Sequence, residues 1–131
     1  MQISPSFVFK KYNMNSKQIR GGIGEEITAE HYAENGYIIV CRNFRVRGGE
    51  IDLIAENERE VVFIEVKTRD KKTAYRPSES VWADQQNSIK YAANIFLSRS
   101  KMSAFLQPRF DVAEVWIDDD DYTVNITQNA F

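Results

Sequence analysis

Apolar residues recur at every second position through two neighbouring runs, "GEIDLIAE" and "EVVFIEVKTR", with charged residues in several of the gaps. A period of two marks strands, because successive side chains point to opposite faces of a sheet. The pattern predicts strands over 49–56 and 60–68 joined by a turn at Glu58-Arg59. "YIIVCRNFRV", 37–46, and "RFDVAEVWI", 109–117, are rich in β-formers and predict two more. "YTVNIT", 122–127, predicts an edge strand. Helical signals flank these runs. The stretch from Ser16 to Asn35 carries a weak stripe of Ile19, Ile23 and Ile27, with Gly36 as its stop. Ser78 to Ser100 places Val81, Gln85, Ile89, Ala92, Ala93 and Phe96 on one helix face, after a loop "KKTAYRP" at 71–77. The resulting order, α-β-β-β-α-β-β, defines an α/β fold: a mixed β-sheet flanked by helices. Residues 1–15 show no periodicity and read as a flexible N-terminal tail before a single domain over 16–131.

Strand alternation also fixes a register. Pairing Ile51 with Val66, Leu53 with Ile64 and Ala55 with Val62 puts six apolar side chains on one side, and a shift of one residue splits them. On the other side this register sets Asp52 opposite Glu65, and Glu50 opposite Lys67. Two outcomes are open. In one the face is solvated, Glu50 and Lys67 form an ordinary cross-strand pair, and the Asp52–Glu65 opposition costs a few tenths of a kcal/mol, on the order of other like-charge pairs. In the other the pair is desolvated and needs a cation between its carboxylates.

Composition narrows the chemistry. A chain of 131 residues is long enough for one domain with a core. No apolar run reaches the roughly 18 residues of a membrane span, and the start lacks a signal-peptide pattern. Cys41 is the one cysteine, so no intrachain disulfide exists and a reducing cytoplasm is expected. His31 is the one histidine, so a multi-histidine zinc site is excluded and a hard, oxygen-bound cation, Mg²⁺ or Mn²⁺, remains for Asp52 and Glu65. Net charge is -2, but the cations cluster around the hairpin: Arg42, Arg45 and Arg47 on one side, Arg69, Lys71, Lys72 and Arg76 on the other. A solvated surface and a phosphate-binding one both fit these clusters. The Asp118 to Asp121 run reads as a solvated turn. Phosphodiester hydrolysis needs a polarising cation and a donor for the charge that develops on the phosphate, and Lys67, two residues beyond Glu65, supplies the donor.

The segments "GGIGEEITAEHYAENGYIIVCRNFRVRGGEIDLIA", "VVFIEVKTR" and "RFDVAEV" resemble the YraN-like family of small bacterial proteins over about residues 20–117. That family resembles the restriction-endonuclease-like PD-(D/E)xK nucleases and, among them, Holliday-junction resolvases. The resemblance implies a restriction-endonuclease-like fold and a Mg²⁺- or Mn²⁺-dependent endonuclease acting on DNA, with branched or structured DNA as candidate substrate. It implies Asp52, Glu65 and Lys67 as catalytic residues, and Glu25 of the first helix as an added acid. Asp52, Glu65 and Glu25 would bind the metal. Arg42, Arg45, Arg47, Arg69, Lys71 and Lys72 would contact nucleic acid, and a homodimer would suit a two-fold substrate. The alternative is a nucleic-acid-binding module of the same fold that does not cleave. Two departures weigh on substrate binding: "DQQNS", with Gln85 and Gln86, stands where a basic residue is expected, and "TAYRP" lacks a glycine common in relatives. Residues before about Met14 lie outside the resemblance. His31 reads as a packing residue. Trp82, Tyr75 and Tyr91 read as helix or core packing, with base stacking as the other option. Gly24 and Gly49 read as points of close backbone approach.

Overall fold

The computed structural model describes residues 22–70, 78–118 and 121–131, together with the backbone of Phe7–Lys11. In chain order the elements are β1 (Phe7–Lys11), α1 (Gly24–Glu34), β2 (Ile38–Val46), β3 (Gly49–Glu56), β4 (Glu60–Asp70), α2 (Glu79–Arg99), a 3-10 turn (Ser103–Phe105), β5 (Gln107–Asp118) and β6 (Asp121–Thr127). The strands form one six-stranded sheet in the order β1-β6-β5-β4-β3-β2. All neighbours are antiparallel except β4 and β5, which run parallel. Parallel neighbours need a long crossover, and α2 lies within the one that joins β4 to β5. The mixed, helix-flanked α/β sheet is the one the pattern predicts.

The differences lie at the N-terminal side. The expected tail includes a strand: Phe7–Lys11 pairs with β6 from Phe7↔Asn125 to Lys11↔Asp121. β6 is therefore an interior strand rather than the expected edge, because its outer row of backbone N–H and C=O groups pairs with β1 instead of facing solvent. The expected start of the first helix falls on residues outside the description, and the described helix begins at Gly24. Its stop is as read. Gly36 has φ +89°, and the Tyr37 N–H turns back to the Tyr32 carbonyl at 3.1 Å, which closes the helix end. α2 starts where Ser78 accepts the Val81 N–H at 3.4 Å.

The two helices cover opposite faces. Under α1 lie Ile27, Ala29, Tyr32, Leu53, Ala55, Val62, Ile64, Ala113, Val115 and Val124. Under α2 lie Ile51, Ile54, Val61, Phe63, Ile89, Ala92 and Ala93. The β3–β4 register is the predicted one, Leu53↔Ile64 and Ala55↔Val62, but Ile51 faces α2 rather than joining Leu53. Alternation slips at Asp52. Opposite it on β2, Asn43 takes φ +50° while Arg42↔Leu53 and Phe44↔Ile51 stay paired on either side. The two strands thus kink together, and the paired residues of β3 and β4 end at Leu53↔Ile64.

A buried polar network ties α1 to the sheet. The Tyr32 hydroxyl donates to Asp111 Oδ2 at 2.6 Å. Arg109 donates to both Asp111 oxygens at 2.9 Å and to Glu60 at 2.8 Å. Glu60 also accepts from the Tyr37 hydroxyl at 3.1 Å.

The glycine readings hold at both positions. A Cβ on Gly24 would collide with the Thr68 side chain, and one on Gly49 would stand 2.5 Å from the Ser88 carbonyl oxygen and 2.9 Å from Ala92 Cβ. The second obstacle includes helix backbone, so Gly49→Ala must push α2 off β3. The expected loss is about 1–3 kcal/mol, read as a lower denaturant midpoint at unchanged m-value. An unchanged midpoint would show that α2 is not seated on Gly49.

Candidate active site at the end of the hairpin

Where the β3–β4 ladder ends, a side chain replaces the backbone partner. The Asp52 carboxylate accepts the Val66 N–H at 2.8 Å, which turns Asp52 toward β4. There it meets the Glu65 carboxyl at hydrogen-bonding distance. Two carboxylates in contact hold a proton between them. Burial, then the Asp52 charge, pushes Glu65 up to about 8, with Lys67 pulling the other way. Burial also raises Asp52, opposed by the Val66 N–H. Both carboxylates are half-buried, so the pair is partly desolvated rather than fully in water.

These acids line a groove of about 440 Å³, with Glu50, Asp52 and Glu65 on the hairpin side and Val81, Asp84, Gln85 and Ser88 on α2. The predicted helix face explains the groove. Ile89, Ala92 and Ala93 are buried on the sheet, whereas Val81 is 44% exposed and Gln85 half-buried. The first turns of α2 thus stand clear of the sheet. Gln85 Oε1 is buried in the groove wall and has no hydrogen-bond partner among the described residues. A neutral amide here, in place of the expected basic residue, leaves the Asp52–Glu65 pair without a compensating charge from the helix.

The remaining predicted residues fall into place unevenly. Lys67 does not pair with Glu50; its ammonium lies 3.6 Å from the centroid of the Trp82 ring. Glu50 bonds instead with Arg45 at 3.3 Å, its partner across β2–β3, because β3 and β4 have parted before that point. Burial, then the Arg69 charge, lowers the Lys67 pKa. Glu25 sits in the first turn of α1 and accepts from Asn43 Nδ2 at 3.4 Å. Burial, then the charge of Asp52, raises its pKa, so it feels the pair. It is not gathered with it: among the described residues no group of three or more His, Cys, Asp or Glu side chains is close enough to hold a metal ion. His31 is buried edge-on against Tyr32, ring centroids 6.2 Å apart, and has no place in the groove.

The cations divide in the same way. Arg42 pairs with Glu26 at 3.0 Å, and Arg45 and Arg47 are exposed on or beside edge strand β2. Arg69 is bound to Glu114 at 3.2 Å with its side chain only 12% exposed, so its guanidinium is not presented to a ligand. Lys71, Lys72, Arg76 and Tyr75 lie outside the described residues. Sequence reasoning missed Glu50, which lines the groove and whose charge raises Asp52, Glu65 and Glu25. Its place between Gly49 and Ile51, two residues from Asp52, was the available signal.

The donor set fits a hard divalent cation that keeps most of its water, since two carboxylates are the common protein contribution to such sites. It does not fit zinc. A pH dependence follows. Glu65 is protonated in the fold from its ordinary 4.5 up to about 8 but ionised in the unfolded chain across that window. Its contribution to stability is therefore complete below 4.5 and lost as pH rises through about 8. In EDTA, unfolding free energy is expected to fall by up to about 5 kcal/mol across this range, and Mg²⁺ should flatten the decline. A melting temperature independent of pH would remove the proton-sharing pair.

An α/β sheet with a paired-carboxylate groove between a hairpin and a helix is the class that fold and site define. The model of Uncharacterised protein family UPF0102 matches residues 24–115. A UPF0102 protein of Caldanaerobacter subterraneus subsp. tengcongensis is 39% identical over 125 residues, 93% of this chain and 99% of that protein. One from Clostridium botulinum (strain Loch Maree / Type A3) is 40% identical over 113 residues, covering 85% and 92%. One from Caldicellulosiruptor bescii is 39% identical over 120 residues, covering 90% and 100%. The chain belongs to the UPF0102 family, as the YraN-like resemblance implied. Among the described residues no helix is long and apolar enough to cross a membrane.

Proposed function

We propose that the protein is a Mg²⁺- or Mn²⁺-dependent endonuclease of the restriction-endonuclease-like type, hydrolysing phosphodiester bonds in branched or structured DNA in the cytoplasm. The observation that carries this reading is the Asp52–Glu65 contact: two half-buried carboxylates side by side on an open groove. Asp52 and Glu65 would hold the cation. When bound, such an ion polarises a phosphoryl oxygen and lowers the pKa of attached water.

This chain's own residues supply the rest. Glu65 would have to lose its proton to hold a cation, so cation affinity should rise toward pH 8. Lys67 brings a compact ammonium with three donors to the phosphate. Glu25, on the other side of Asp52, adds negative charge that orients water. Arg42, Arg45 and Arg47, on or beside edge strand β2, would contact backbone phosphates, as would Lys71 and Lys72, and binding would weaken steeply with salt. A two-fold dimer would match a two-fold junction.

A second reading, a DNA-binding module that does not cleave, is favoured by one observation: Glu25 stays with Asn43 and the three acids are not assembled. One assay separates the two. Junction, flap, single-stranded and duplex DNA, and RNA, are incubated with Mg²⁺ or Mn²⁺ and with EDTA. Cation-dependent cleavage of DNA supports the enzyme, salt-sensitive binding without cleavage supports the module, and neither rejects both.

A further inference from the structure

Lys67 leaves β4 on the same face as Glu65, about 7 Å further along the strand. A lysine rooted that close to two carboxylates in a partly desolvated groove is long enough to reach them, and its ammonium is attracted to them. It rests elsewhere. Its nitrogen lies 3.6 Å from the centroid of the Trp82 indole, the side chain best suited to hold a cation on its face. Lys67 takes part in none of the ion pairs found among the described residues.

The ring is anchored. Trp82 stands in the first turn of α2, its backbone N–H bonded to the Ser78 carbonyl at 3.0 Å. Phe131 meets it edge-on with ring centroids 5.3 Å apart. Phe131 packs on Phe110 at 5.2 Å, and Phe110 stacks on Phe63 at 5.3 Å. Phe63 is fully buried. A continuous row of rings therefore connects the seat of the lysine to the core.

We propose that Trp82 is a positioning residue whose ring holds the Lys67 ammonium off the Asp52–Glu65 pair, leaving that pair open to a divalent cation and the ammonium free for a phosphate. The inference rests on the cation site proposed above. Its logic is competition. A lysine that fell onto the pair would neutralise it, and an incoming Mn²⁺ would have to displace that lysine. The indole removes the competitor while keeping its charge near enough to act on Glu65. Gln85 acts in the same sense, since a basic residue there would also compete for the pair.

Two measurements on the whole chain test this, neither of them activity. In protein carrying ¹³C-labelled lysine, the ε-methylene of Lys67 should show an upfield ring-current shift. The signal should vanish in Lys67→Met, return to the ordinary lysine position in Trp82→Leu, and keep part of its shift in Trp82→Phe. Mn²⁺ affinity, followed by the electron paramagnetic resonance of the free ion, should weaken about three- to tenfold in Trp82→Leu and less in Trp82→Phe. Adding Lys67→Met to Trp82→Leu should restore it, because the competitor is gone. That rescue separates positioning from a general structural role. If the leucine variant fails to fold, the phenylalanine variant carries the test, with an intermediate shift and an intermediate affinity expected. A missing upfield signal, or Mn²⁺ affinity indifferent to Trp82, overturns the inference and leaves the cation site standing. A wild-type protein that binds no Mn²⁺ ends the cation site and the inference together.

Discussion

Asp52→Asn is expected to abolish cation-dependent cleavage while leaving the fold intact and, above pH 7, more stable. Asparagine keeps the size of the side chain, and its carbonyl oxygen can still accept the Val66 N–H that Asp52 accepts at 2.8 Å. What goes is one of two charges. Glu65 then loses the like charge that follows burial as the second cause of its raised pKa, so the variant should tolerate rising pH better than the wild type. The cation loses half of its carboxylate set. Its stabilisation of the reaction amounts to several kcal/mol, and at 1.36 kcal/mol per decade cleavage should drop on the order of 10³-fold. Opposite effects on stability and rate are the signature of a site kept for function at a cost to the fold. Measurement of melting temperature and cleavage on one preparation checks both. Equal activity in Asp52→Asn and wild type would remove Asp52 from the chemistry.

Much of this arrangement was legible from residue order. Period-two alternation located the two hairpin strands, β-former content located β2 and β5, and alternation fixed the β3–β4 register, because burial of Leu53, Ala55, Val62 and Ile64 on one side admits a single alignment. That register was enough to bring Asp52 to Glu65. It misplaced Ile51 and Lys67, both for one reason. Alternation presumes an unbroken ladder, and the left-handed backbone of Asn43, which asparagine tolerates better than most residues, kinks β2 and β3 just where the acids lie. Asparagine inside an apolar-alternating run was the available hint. Strand Phe7–Lys11 was missed because an edge strand with one neighbour needs little periodicity of its own; its place is set by the open side of β6. The seat of Lys67 on Trp82 was beyond reach, since it depends on where a helix some fifteen residues downstream is set down.

The buried network was equally invisible in role, though not in pattern: Arg109 and Asp111 interrupt an otherwise apolar strand at positions that share a face. The largest stability effect is expected here. Arg109→Met should destabilise the fold by about 3–5 kcal/mol, a large share of the roughly 5–15 kcal/mol available to a domain. Asp111 is fully buried, and both of its oxygens face the Arg109 guanidinium at 2.9 Å. Without it the carboxylate keeps the Tyr32 hydroxyl and the Asn129 N–H, two hydrogen bonds and no opposite charge. Glu60 loses its 2.8 Å partner as well. The network lies on the α1 side of the sheet and the groove on the α2 side, so folded Arg109→Met should still bind Mn²⁺ with wild-type affinity below its melting transition. The pair itself is a different quantity from the cost of breaking it. Replacing Arg109 with methionine and Asp111 with leucine together removes the fully buried stranded charge, adding Tyr32→Phe removes the hydroxyl that would be left without an acceptor, and the partly exposed Glu60 keeps the Tyr37 hydroxyl. That triple variant should recover most of the loss, because a buried ion pair roughly breaks even against apolar side chains of similar volume. Chemical denaturation of the single and triple variants decides the matter: a single-variant loss under about 1 kcal/mol, the size of an ordinary surface pair, would show that water reaches Asp111 and that the network does not hold α1 to the sheet.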